Sequence, residues 1–280
     1  MRIGIGIPNT VPGTPGATIV EWARQAEQHG FAGLATIDRF AYPNYDSLTT
    51  LAAAAAVTSR IGLLTNILLA PAYPPVLLAK SAASIDQISG GRFTLGVAAG
   101  GREDDFEVVG RSFKTRGRDF DAGLEEMHRI WAGEPRFSPT PVGGAVPLMF
   151  GGGSDATIRR TVAYGQGWTM GGGSPDEVAE FGARVRQAWS DGGRSGSPRI
   201  AVLAYYSLGD DAEEDSRGYL RDYYGFLGPY ADMIANGALR SPDAIRGAMK
   251  AFEAAGVTEI YLDPTVARLD QLERLAEVVL

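Results

Sequence analysis

Residues 61–101 constrain the fold more than any other part of the chain. They read IGLLTNILLAPAYPPVLLAKSAASIDQISGGRFTLGVAAGG. Two nearly all-apolar runs, 61–68 and 93–98, flank a helical stretch near 75–88 and a Gly90-Gly91 turn. Continuous apolar strands separated by a helix indicate a parallel sheet covered on both faces. The polar exceptions are Thr65 and Asn66, at the exit of the first run. At that end of a parallel strand, polar side chains serve a ligand more often than the core. Gly100 and Gly101 close the second run and give a ligand access to the backbone.

The same rhythm continues through the chain. Apolar runs near 3–7, 32–37, 148–150, 168–170, 200–208 and 260–262 alternate with helical patterns near 17–29, 47–58, 118–131, 156–164, 175–190 and 242–255. A final helix closes the chain. With the opening block this makes eight strand–helix units, so the expectation is a (β/α)8 TIM barrel forming a single domain over 1–280. A doubly wound open sheet is the alternative, but its phosphate fingerprint is missing from the first turn, IPNTVPG. Residues 210–241 interrupt the alternation and read as an insertion after strand seven.

Charge and composition exclude several classes of function. The formal net charge is -7 and no basic cluster occurs, which argues against nucleic acid and anionic membrane surfaces as partners. There is no cysteine, and the two histidines, His29 and His128, fall on separate helical stretches. A thiol nucleophile and a thiolate or histidine-rich metal centre are thereby excluded. The start, MRIGIGIPN, goes straight into a strand, and no apolar run approaches the ~20 residues of a membrane span. A cytoplasmic location is the expectation.

Two near-identical signatures, GGGSDAT at 151–157 and GGGSPDE at 171–177, each follow a short apolar strand and precede a helix. Ser154 and Ser174 are the expected N-caps. Bare amides at a helix N-terminus suit an anion, although glycines also simply permit tight turns. Two such loops in succession at the ligand face favour a phosphate-bearing ligand held by Gly151, Gly152, Gly153 and Ser154 together with Gly171, Gly172 and Gly173. Asp38 ends strand two; it either lines a ligand pocket, caps the next helix or pairs with Arg39. Glu103, Asp104 and Asp105 read as a solvated face. Arg116 and Arg118 start a helix, where they either reach a phosphate or stay exposed. Tyr205 and Tyr206 are adjacent on strand seven, so only one faces inward. Tyr219, Tyr223, Tyr224, Phe226 and Tyr230 in the insertion either cover a substrate or form a satellite core.

The run TNILLAPAYPPVLLAK, followed by IDQISGGRFTLGVAAGG and the acidic-aromatic EDDF, resembles the luciferase-like monooxygenase family. That family includes flavin-dependent monooxygenases and enzymes using the deazaflavin coenzyme F-420, and the resemblance covers almost the whole chain. It implies that the glycine loops hold the phosphate or ribityl tail of the cofactor, with Ala98, Gly100 and Arg118 nearby. It places Asp38 at the ring pocket, and Arg39 where histidine is frequent, so no histidine is available there for an acid–base step. Thr65, Asn66 and Ile67 match a strand-three bulge, and a non-proline cis peptide is expected between Asn66 and Ile67. Asp38 and Asn66 are the catalytic candidates, and Arg39, Phe40, Tyr42, Tyr205 and Tyr223 the substrate-pocket candidates. The implied function is a monooxygenase using reduced FMN and oxygen on a small organic substrate, with a separate reductase as partner. The alternatives are F-420-dependent hydride transfer and a non-catalytic flavin-binding protein. A homo-oligomer is the expected assembly. A phosphate-binding lyase or isomerase fits poorly, because Lys80, Lys114 and Lys250, the only lysines, lie away from strand ends.

Overall fold

The structure is a computed structural model that describes residues 1–280. Its elements are, in order, β1 (Arg2–Gly6), α1 (Gly16–His29), β2 (Gly33–Thr36), α2 (Ser47–Val57), β3 (Gly62–Thr65), β4 (Leu68–Leu69), α3 (Pro75–Ser89) and β5 (Phe93–Ala98). There follow α4 (Glu103–Glu107), α5 (Arg116–Trp131), β6 (Leu148–Gly151), α6 (Asp155–Tyr164), β7 (Gly167–Gly171), α7 (Pro175–Asp191) and β8 (Arg199–Tyr206). The chain ends with α8 (Ala212–Tyr223), α9 (Tyr230–Asn236), α10 (Pro242–Ala254), β9 (Glu259–Pro264) and α11 (Asp270–Val279). All strand pairings are parallel, in the order β3-β2-β1-β9-β8-β7-β6-β5-β4, and pairing of β3 with β5 closes the ring. The result is the eight-stranded barrel expected from the alternation, with strand three broken into β3 and β4.

Local sequence explains the punctuation. Gly30 and Gly90 end α1 and α3 in the left-handed region that glycine enters without strain. Asp46 accepts from the Thr49 amide to cap α2, and Ser241 does the same for α10 through Ala244. The main apolar core lies between the barrel wall and the helices. There Trp22, Trp131 and Trp168 are wholly buried, and Trp189 nearly so.

The lumen is filled by a few large side chains set against glycines. Tyr261 occupies the space where Gly4 and Gly33 would carry Cβ atoms, which would come within 2.4 and 2.8 Å of its ring and hydroxyl. Around it lie Ala35, Leu64, Met149 and Ala201. Below, at the strand N-termini, Glu259 takes both ends of the Arg199 guanidinium at 2.6 and 2.9 Å. Strand alternation sends Tyr205 inward and Tyr206 outward, where its hydroxyl donates to Gln271 O at 3.2 Å.

The insertion after β8 folds into α8, a single 3-10 turn and α9, which lie across the barrel mouth. Tyr219 meets Thr10 of the loop after β1 at 2.7 Å, and Arg102 of the loop after β5 donates to Tyr223 O at 2.9 Å. Tyr42, of the loop after β2, donates its hydroxyl to Asp222.

A Cβ at Gly96 would stand 2.0 Å from the backbone oxygen of Thr65, as close as any such approach in the wall. Gly96→Ala is therefore expected to lower stability in urea by ~1–3 kcal/mol, the range for overpacking. Gly117→Ala, in the first turn of α5 with nothing within 4 Å, should leave stability equal or raise it by up to ~1 kcal/mol.

Candidate active site at the barrel mouth

The peptide bond between Asn66 and Ile67 is cis, at the position the family resemblance implies. The junction around it is fixed by hydrogen bonds from three strands. The Asn66 amide donates to Thr36 O at 2.7 Å, and the Thr65 hydroxyl to Gly96 O at 2.7 Å. The Thr169 hydroxyl donates to Asn66 Oδ1 at 2.8 Å. With Oδ1 receiving that hydrogen, Nδ2 is left as a donor. Nδ2 is buried and has no partner. An orphaned buried donor costs ~1–3 kcal/mol, and such groups concentrate where a ligand supplies the acceptor.

Asp38 is 4% exposed and braces the far side of the same junction. Its carboxyl accepts from the Leu69 amide at 3.0 Å and the Tyr73 hydroxyl at 3.1 Å. Burial pushes it up to about 7, against the opposing pull of those two hydrogen bonds. Neither structural alternative raised by the sequence applies: Asp46 caps α2, and Arg39 turns to other carboxylates.

Arg39 binds Asp105 at 2.7 and 3.1 Å and Asp104 at 3.3 Å. Asp105 also accepts from the Phe40 and Ala41 amides, each at 2.8 Å. The expectation of a solvated acidic face at 103–105 is corrected for Asp105, which is fully buried. It lies on α4, a single short helix. Arg39 thus ties the loop after β2 to α4, with the Tyr42 and Tyr223 rings 5.4 and 5.5 Å from its guanidinium carbon. Phe40 packs on Tyr73 with ring centroids 5.0 Å apart.

The two glycine turns stand side by side on one rim, since Gly151 of β6 is in register with Thr169 of β7. Gly152 and Gly172 adopt φ of +109 and +92°, which glycine enters freely. A Cβ at Gly153, Gly171 or Gly172 would meet nothing within 4 Å, so the space beside these turns is open. The turns differ in one respect. Ser154 caps α6 through the Thr157 amide at 3.3 Å. At α7, Ser174 and Glu177 form a full capping box, and the Glu177 carboxylate accepts from the Ser174 amide at 2.7 Å. The second turn thus already carries an anion of the chain's own.

Three expected ligand contacts are corrected. The space over Gly100 is filled by Phe106, and that over Gly151 by the Ile67 side chain. Arg118 is 79% exposed and pairs with Asp119; Arg116 is the residue that reaches inward, to Gly100 O at 3.0 Å. Ala98 lies in register with Leu69 of β4, lining the junction.

On the β8 side, the insertion's aromatics face the mouth. Tyr205 and Tyr224 share a hydrogen bond of 2.9 Å, and Tyr219 and Tyr223 are buried with them. Phe226 and Tyr230 are exposed, so the satellite-core reading holds for Tyr219 and Tyr223 and not for these two. Arg102 stacks over Phe226 at 3.7 Å and Tyr223 at 4.8 Å. One buried group escaped the sequence reading. Asp263, at the end of β9, sits in the lumen against Gly6 with Oδ1 unpartnered, and burial holds its carboxyl well above the usual range. The signal was a lone carboxylate ending the apolar run EIYLDP, as Asp38 ends strand two.

No group of His, Cys, Asp and Glu side chains is arranged to hold a metal, and no helix is long and apolar enough to cross a membrane. A closed parallel barrel with orphaned polar groups and open glycine turns at the strand C-termini defines a ligand-binding barrel enzyme. Residues 1–277 match the model of the luciferase-like monooxygenase family, and the chain belongs to that family. An uncharacterized protein of Mycobacterium tuberculosis is 28% identical over 244 residues, 74% of this chain and 84% of that one. Among solved structures, an F420-dependent secondary alcohol dehydrogenase superimposes with a TM-score of 0.79 at 19% identity, covering 99% of this chain and 98% of that one. The oxygenating constituent of 3,6-diketocamphane monooxygenase from Pseudomonas putida, solved with FMN, gives 0.77 at 19%, covering 99% and 97%.

Raising an acid's pKa on folding makes the native state bind protons more tightly than the unfolded chain. Stability held by neutral Asp38 is therefore complete below its ordinary 3.8 and is lost as pH rises toward about 7. Asp38→Asn keeps a neutral side chain, with the Tyr73 hydroxyl turning to accept from Nδ2. Its stability should fall less steeply across pH 4–7 than that of the wild type, by up to ~1.4 kcal/mol per pH unit in urea titrations.

Proposed function

We propose that the protein is a monooxygenase of the luciferase-like family that uses reduced FMN and oxygen on a small organic substrate, with the reduced flavin supplied by a separate reductase. The observation that carries this reading is the unpartnered Nδ2 of Asn66, buried beside open glycine turns on the same rim. The residues present fit a flavin. A planar ring needs donors for its acceptor edge, and its tail needs a seat for a phosphate.

Bound FMN would supply the redox chemistry. The chain's own residues do the rest. Asn66 Nδ2 offers an unpartnered donor, and Thr169 holds the amide through Oδ1. Gly152, Gly153 and the α6 N-terminus seat the phosphate, where backbone donors and the helix dipole favour an anion. Asp38, whose carboxyl burial raises to about 7, holds the Leu69 amide, so the junction stays fixed. The tyrosine layer of α8 excludes water from the reacting side. Neither histidine belongs to this set: His128 packs on Trp131 and Tyr164, and His29 ends α1.

A second reading, hydride transfer with coenzyme F-420, draws on the fold shared with the F420-dependent alcohol dehydrogenase. Asp155, Asp176 and Glu177 in the first turns of α6 and α7 favour the less anionic FMN over it.

Titration of the purified protein with oxidised and reduced FMN and F-420 separates the two. Reduced FMN is expected to bind tighter than F-420 and to support oxygen-dependent turnover; the opposite order of affinities would overturn the FMN reading, and binding without turnover of any substrate would leave a mere flavin holder. Gly152→Val should raise the FMN dissociation constant at least ~tenfold, the loss of one charge-assisted contact. Gly172→Val should raise it less, because Glu177 already occupies that turn.

A further inference from the structure

At the opposite end of the barrel, among the strand N-termini, a cavity of about 230 Å³ is lined by Arg2, Arg60, Arg92 and Arg199 with Thr94 and Tyr261. We infer that this well is an anion site that takes a phosphate group, separate from the cofactor rim.

Its charge is not neutralised within the lining. Glu259 lies behind it, almost wholly buried, and is engaged by Arg199 and by the Tyr261 hydroxyl at 3.2 Å. Glu27 sits to one side, where its carboxylate accepts the Ser59, Arg60 and Ile61 amides at 2.6–3.0 Å. Two carboxylates therefore stand against four guanidinium groups, in a chain whose formal net charge is -7. Such a local excess of one sign in a concave site focuses potential on a counter-ion.

The four arginines divide by what their donors do. Arg92 gives all five N–H groups to neutral acceptors, namely Ser89 O, Thr58 Oγ1, Ile61 O, Ala55 O and Thr58 O, at 2.8–3.1 Å. It is a fixed charge that contributes field rather than contacts. Arg199 gives one donor to Thr94 and two to Glu259, which orients it across the floor. Arg2 makes a single long bond, to Ala32 O at 3.3 Å, and lies 3.8 Å from Glu259. Arg60 is exposed and forms no salt bridge. A purely structural ionic plug would consume these donors internally. Here Arg2 and Arg60 keep most of theirs at the lip of a cavity large enough for a phosphate. Tetrahedral oxyanions match the planar forks of two guanidinium groups.

The source of the phosphate is open to a direct comparison. The full chain is titrated with sodium phosphate, and separately with glycerol phosphate, at ionic strength held constant with sodium chloride. A site predicts saturable heat in calorimetry and a saturable rise in melting temperature with phosphate that chloride does not reproduce. Tighter binding of the ester identifies a phosphorylated metabolite as the occupant, and equal or tighter binding of the inorganic ion identifies free phosphate. Arg2→Ala/Arg60→Ala, two exposed positions, should weaken binding at least tenfold, while Arg60→Lys restores part of it. Gly152→Val, which alters the cofactor rim, should leave the phosphate response unchanged. The inference is overturned if chloride matches phosphate, if the double variant binds as the wild type does, or if Gly152→Val abolishes the response.

Discussion

The broken third strand is the constraint on which the rest of this barrel's mouth depends. A parallel strand that ran straight from 62 to 69 would pair along its whole length with both neighbours. Instead the chain turns aside at Asn66, and several groups around the break are held by bonds from elsewhere in the barrel. Thr36, Gly96 and Thr169 supply them from three other strands, and Asp38 supplies the last, at Leu69. One side-chain donor, Asn66 Nδ2, is left over and lies inside the wall. The junction turns a structural element, normally saturated with hydrogen bonds, into one that carries a free donor.

The two ends of the barrel have opposite electrostatic characters. At the C-terminal rim the groups that carry no ion pair are an amide, a hydroxyl and two carboxyls, Asp38 and Asp263, whose proton affinity burial raises, while the charges of Arg39 and Asp105 are paired with each other. At the N-terminal end the groups are fully ionised guanidinium and carboxylate. The plane between them is Tyr261 and its apolar neighbours, whose bulk is accommodated by glycines on adjacent strands. That low-dielectric layer insulates each end from the charges of the other.

Much of this was legible in the sequence, and the exceptions have physical reasons. Period-two and period-3.6 patterns are local, so the strand–helix alternation and both serine caps could be read directly. The inward turn of Tyr205 followed from alternation alone. The partners of Asp38, Arg39 and Asp105 lie 31 to 66 residues away, and no local pattern encodes such pairings. Asp105 looked solvated because its neighbours Glu103 and Asp104 are; one helical turn was enough to bury it. Glycine was ambiguous for a related reason. At Gly172 it serves backbone conformation beside open space, whereas at Gly151 it makes room for Ile67, and at Gly100 it does both, turning the backbone and admitting Phe106. A missing side chain does not say which neighbour it is missing for.

The α8–α9 insertion is fastened to three loops that belong to three separate strands: through Thr10, through Tyr42 and through Arg102. The Arg102 fastening is a guanidinium sandwiched on aromatic faces and bonded to a main-chain oxygen. Unlatching any single tether leaves the flap held by the other two. Traffic through that side of the mouth therefore requires the helical pair to lift as one body. The space beside Gly153, Gly171 and Gly172 is open, so under the flavin reading an anionic tail enters there without disturbing the tyrosines.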